Sequence, residues 1–163
     1  MATPVGHSII GYALARAAGV ETRTGLALSV GVASLPDIDF LLGYVANGNL
    51  RSLHHETITH KRVFPLLVGA GTALAAAGLA LLRGRPPTPR EVLRPALLAT
   101  ALVGSHLAMD PLPLPYHSAS PQSDSVWQVV AVQAWNAVID MAVYGGLAMM
   151  APGRDEPAVR RNG

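Results

Sequence analysis

Phe64-Pro-Leu-Leu-Val-Gly-Ala-Gly-Thr-Ala-Leu-Ala-Ala-Ala-Gly-Leu-Ala-Leu-Leu82 contains no charged side chain and a single hydroxyl, Thr72. At about 1.5 Å per residue the run covers about 28 Å, close to the thickness of a bilayer hydrocarbon core. Arg62 and Arg83 bracket it. This stretch predicts a transmembrane helix, because a buried helix of a soluble bundle seldom stays apolar for so long. The whole chain agrees. Of its 163 residues 50% are hydrophobic and only 13% are charged, against about 25% charged in ordinary soluble domains. Lipid is the solvent that this composition suits, and the length suits one domain.

Beyond its C-terminal end, Arg83-Gly-Arg-Pro-Pro-Thr-Pro-Arg-Glu91 reads as a basic, proline-rich turn. Val92–Met109 is the next expected span. Pro111, Pro113 and Pro115 then force an extended loop to about Ser125. Val126–Met150 is the last expected span and carries Gln133, Asn136 and Asp140. On the other side, Asn47–Lys61 is a polar connection, and Gly25–Val45 is apolar but broken by Pro36. Val5–Val20 is a short apolar helix in which Gly11 and Gly19 suit close helix contact. The expectation is all-α: a polytopic membrane helix bundle of about four spans. It divides into an integral-membrane domain over residues 1–151 and a flexible cytoplasmic tail over 152–163. The N-terminus has no basic n-region, so no cleaved signal peptide is expected.

The basic residues orient this bundle. With the N-terminus outside, the segments Arg16–Arg23 and Arg83–Arg94 and the tail hold nine of the twelve, and Arg51, Lys61 and Arg62 remain outside. That bias follows the positive-inside rule. The basic residues are not interleaved with aromatics, which argues against nucleic acid as a partner. The absence of cysteine removes disulfides and thiolate metal sites.

The same orientation gathers His7, Asp37, Asp39, His55, His60, His106 and Asp110 toward the outer membrane face. Imidazoles and carboxylates in apolar segments need partners, and a divalent metal is one they can share. His106 and Asp110 are four apart, about 400° around a helix, so both project from one face. The simpler alternative is a helix-end histidine hydrogen-bonded to a carboxylate. Asp37 and Asp39 fall on opposite sides of a regular helix, but after Pro36 the backbone has reason to be irregular. Either both turn inward, or one binds metal while the other caps the new helix. His55-Glu-Thr-Ile-Thr-His60 is not the zinc-protease motif His-Glu-x-x-His, because its histidines are five apart, about 140° off one face. Both can still converge from a loop. For His54 and His117 an exposed loop position is the better reading. Asp140, deep in the last span with Asn136 a turn earlier, reads as a functional acid, an orienting carboxylate behind a metal ligand, or a packing group.

Four segments in order, over roughly residues 3–112, carry a resemblance: His7-Ser-Ile-Ile-Gly11, Leu35-Pro-Asp-Ile-Asp39, His55-Glu-Thr-Ile-Thr-His60 and Ser105-His-Leu-Ala-Met-Asp110. Together they resemble the YdjM-like family of bacterial inner-membrane proteins, described as membrane-bound metal-dependent hydrolases. In that family the segments read His-x-x-x-Gly, Leu-Pro-Asp-x-Asp, His-Arg-x-x-Thr-His-Ser and Ser-His-x-x-x-Asp. Glu56 stands here in place of the basic residue and Lys61 in place of the serine, and Pro111 and Pro113 alter the segment after Asp110. The ligand positions are intact.

The resulting expectation is a metal-dependent hydrolase in the inner membrane. It would hold one or two divalent ions, zinc first among them, on His7, Asp37, Asp39, His55, His60, His106 and Asp110. Seven candidates exceed what one tetrahedral ion needs. A metal-activated water would be the nucleophile, and Asp37 or Asp39 the general base. Membrane lipid surrounds the site, so its location implies an amphipathic substrate such as a lipid phosphoester. The rival expectation is a non-enzymatic protein that carries divalent metal or uses it to hold its helices together. A carrier needs polar groups continuing to the inner face, and Phe64–Leu82 offers none.

Overall fold

The computed structural model describes residues 3–48, 53, 57–110 and 126–146. Every regular element among them is helical. Helices α1 (Pro4–Ala17), α2 (Arg23–Ala33), α3 (Ile38–Asn47), α4 (Phe64–Leu82), α5 (Pro89–Met109) and α6 (Val126–Asp140) are joined by 3₁₀ turns at Leu35–Asp37 and Ile58–His60. A π turn, Met141–Gly145, extends α6. His54, His55, His117, the loop expected at 111–125 and the tail expected at 152–163 lie outside the described residues.

Helix α4 has the bounds read from its apolar run. Helix α5 starts three residues earlier than its hydrophobicity suggests, because Thr88 and Glu91 form a capping box around Pro89. The Thr88 hydroxyl accepts the Glu91 N–H at 3.3 Å, and the Glu91 carboxylate accepts the Thr88 N–H at 3.1 Å. The pattern Thr-Pro-x-Glu is the signature of such a start.

The two helices pair as an antiparallel hairpin, yet most of their apolar surface has no protein cover. Only 17% of the most apolar stretch of α4 is buried, and 28% of that of α5. Apolar helix faces that no protein covers need lipid. These two helices are long and apolar enough to cross a membrane, and α2 with α3, bent by 53°, makes a third crossing if the pair counts as one. Helix α1, with 14 residues, falls short of the roughly 20 that a straight span needs, and α6 has 15 residues before its π turn. The all-helical membrane fold thus stands, while the described helices supply two or three spans against the four expected.

The break at Pro36 positions the site. Pro36 has no N–H, and Asp37 donates to Ser34 at 3.1 Å in a 3₁₀ turn. The carbonyl of Ala33, last residue of α2, is thereby released from the helical ladder. Helix α1 lies against α2 through Gly11, where a Cβ would come within 2.5 Å of that of Ala33. The beginnings of α1 and α4 and the end of α5 meet at one end of the bundle. At the other end Arg94 donates to the carbonyl of Ala18, just past α1, at 2.7 Å.

Candidate metal centre

His106, one turn before the end of α5, is 1% exposed. Its Nδ1 lies 2.9 Å from the Ala33 carbonyl oxygen. A carbonyl only accepts, so Nδ1 carries the proton and Nε2 of the neutral ring presents a lone pair. That Nε2 faces Asp37 Oδ1 at 3.5 Å and Asp110 Oδ2 at 3.6 Å. It has no hydrogen-bond partner among the described residues.

His60 enters from the turn before α4. Its Nδ1 lies 2.8 Å from Asp39 Oδ2, and its Nε2 lies 3.3 Å from Asp110 Oδ2. His7, at the end of the first turn of α1, directs Nε2 at Asp110 Oδ1, 3.3 Å away. Its ring stacks on that of His106, centroids 3.5 Å apart. Asp110 therefore turns one oxygen toward His7 and the other toward His60 and His106.

Two groups result, His7–Asp37–His106 and His60–His106–Asp110, sharing His106; within each, ligand atoms lie within 4.8 Å of one another. Neighbouring donors of a tetrahedral zinc ion, each at about 2.0–2.1 Å from it, are about 3.4 Å apart. The His60–Asp110 and His106–Asp110 contacts, 3.3 and 3.6 Å, match that edge and exceed an ordinary charge-assisted hydrogen bond of about 2.8 Å. Among the described residues no lysine or arginine pairs with Asp37 or Asp110. Imidazole nitrogens and carboxylate oxygens are a donor set suited to a borderline divalent ion.

Asp39, in the first turn of α3 and fully buried, stands behind His60. The hydroxyls of Thr57 and Thr59 approach its Oδ2 at 3.5 and 3.4 Å. This carboxylate orients His60 so that the far nitrogen faces the cluster. Burial, the largest single influence on the His60 pKa, pulls it down, but the carboxylates of Asp110, Asp39 and Asp37 outweigh burial and hold it above the ordinary 6.5.

Of the seven residues singled out in the sequence, the structure brings His7, Asp37, His60, His106 and Asp110 together, sets Asp39 behind His60, and leaves His55 outside the described residues. Asp37 occupies the N-cap position of α3 but makes no capping bond. Two contributors went unread in the sequence: Thr59, beside His60, and the Ala33 carbonyl. The first is visible as the Thr-His pair, and the second only through the proline that frees it. Asp140 reaches the start of α1, where its Oδ2 accepts the Thr3 N–H at 2.7 Å and the Thr3 hydroxyl.

Fold and cluster together define an all-helical membrane protein with a buried His/Asp constellation at one end of its bundle. The model of the YdjM inner membrane protein family matches residues 1–156, and the chain belongs to that family. Its apolar helices fit an inner membrane. No curated protein and no solved structure matches the chain.

Proposed function

We propose that the chain is a membrane-bound, metal-dependent hydrolase acting on a lipid or other amphipathic phosphoester. The observation that carries this reading is the pairing of a fixed His106 tautomer with donor spacings of a metal coordination edge. When bound, a divalent ion, zinc first among candidates, supplies a Lewis acid and acidifies a water molecule. His60, His106 and Asp110 would hold it, three protein donors being the usual number in a catalytic zinc site. His7 and Asp37 face the substrate on the other side of His106. Asp37 is the general base. Asp39 holds the orientation of His60. The charge bias of nine basic residues against three supports an outward-facing cluster.

The test is metal analysis of detergent-purified protein, followed by hydrolysis assays on lipid phosphoesters with and without chelator. Bound divalent metal, with turnover lost in Asp37→Asn while protein and metal persist, supports the hydrolase. The opposite result is no turnover by metal-loaded protein on any substrate, with metal and stability lost together in Asp37→Asn, Asp39→Asn and His106→Ala. Binding energy would then be folding energy, and the metal a structural clamp.

A further inference from the structure

The end of the bundle away from the His/Asp cluster carries a concavity of its own. A cleft of about 580 Å³ opens between the last turn of α1 and the first half of α5, walled by Leu14, Leu93, Leu97 and Leu98 with Arg90 and Arg94. The two arginines are four apart on one helix and share a face. Leu93 and Leu97 are 56% and 68% exposed on a helix apolar enough to span a membrane. Arg94 is fixed by its bond to the Ala18 carbonyl. The acid between the arginines is taken, because Glu91 receives Arg85 at 2.8 Å. Neither Arg90 nor Arg94 is paired with a carboxylate among the described residues.

We propose that this cleft binds an anionic phospholipid, its phosphate on Arg90 and Arg94 and an acyl chain along Leu14, Leu93 and Leu97. Helix α5 has 21 residues, about 31 Å at 1.5 Å per residue, so its first turn lies at the depth of lipid head groups. An apolar trough with cationic groups that no acid neutralises is the complement of an anionic amphiphile, and its volume is that of a ligand pocket. Arg90 and His106 are about 24 Å apart along the helix, so an occupant here leaves the His/Asp cluster uncovered.

The experiment is native mass spectrometry of the full chain in detergent. The probes are phosphatidylglycerol and phosphatidylcholine of identical acyl chains, with glycerol 3-phosphate as the chainless anion. Phosphatidylglycerol is expected to bind more tightly, and Arg90→Gln to weaken it about fivefold, the effect of one basic group near a membrane surface. Arg90→Gln keeps the Arg94–Ala18 bond, so it tests the site without loosening α1. Leu97→Trp, which fills the trough, is expected to weaken both lipids. Arg83→Gln, outside the cleft, is expected to change neither. Equal binding of the two lipids, an Arg83→Gln effect as large as that of Arg90→Gln, or full competition by glycerol 3-phosphate would each overturn the proposal.

Discussion

Asp140 and Thr3 are 137 positions apart and joined twice, the Thr3 N–H and the Thr3 hydroxyl both donating to one carboxylate oxygen of Asp140. Gly6 leaves room for the contact, since a Cβ there would come within 2.6 Å of that oxygen. Thr3 also caps α1, and its carbonyl accepts the His7 N–H at 3.0 Å. The last described helix thus sets the position of the first histidine of the cluster.

Asp140→Ala strands two buried donors on Thr3, at a cost of about 1–3 kcal/mol each. Asp140→Asn, which keeps an acceptor oxygen, is expected to lose less. Gly6→Ala should destabilise by about 1–3 kcal/mol through overpacking against the carboxylate. Thermal unfolding in detergent measures all three, and an Asp140→Ala protein as stable as the parent would refute the clamp.

Asp39 and His106 are predicted to differ in kind. Asp39→Asn removes the charge that orients His60, and such partners are worth about 10–100-fold in metal affinity. The variant should still fill with metal at high concentration. His106→Ala removes the donor shared by both groups and should lower stoichiometry itself. Titration calorimetry with zinc separates the two outcomes. Parent-like affinity in Asp39→Asn would remove that carboxylate from the site.

Acid should weaken metal binding, and from an unusually high pH. The His60 pKa is raised in the metal-free protein, so a proton there is held more firmly than on an ordinary imidazole and must leave before metal enters. Affinity is therefore expected to fall as pH drops through a value above 6.5. It should level off on the alkaline side. Zinc titrations from about pH 6 to 9 test this directly, and a flat profile would contradict the role given to His60.

The orientation of the chain is open to labelling because it contains no cysteine. Cysteine introduced at exposed Arg62, before α4, should react with an impermeant thiol reagent on intact cells. Cysteine at exposed Pro86, in the turn between α4 and α5, should react only after the membrane is opened. The reverse pattern would turn the cluster toward the cytoplasm.

The sequence made α4 legible to the residue, since an uncharged run between two arginines leaves few choices of boundary. It made the start of α5 less so, because hydrophobicity begins at Val92 while the capping chemistry begins at Thr88. Candidate donors were visible as types, since histidine and aspartate are conspicuous in apolar surroundings. Their division of labour was not. Asp37 and Asp39 look equivalent as letters, and only the turn after Pro36 sends one into the cluster and the other behind His60. The Asp140–Thr3 contact spans nearly the whole chain, and no local pattern encodes a partner at that distance.

The proline break between α2 and α3 also bears on how this protein can vary. With any other residue at position 36 the two helices gain the means to run on as one. The Asp37 N–H would then claim the Ala33 carbonyl, and the His106 ring would lose the bond that decides which nitrogen it presents. A site can therefore be silenced by inheritance without any donor being altered. Variants surveyed only for their histidines and aspartates would be scored as intact while carrying a histidine free to turn the wrong face.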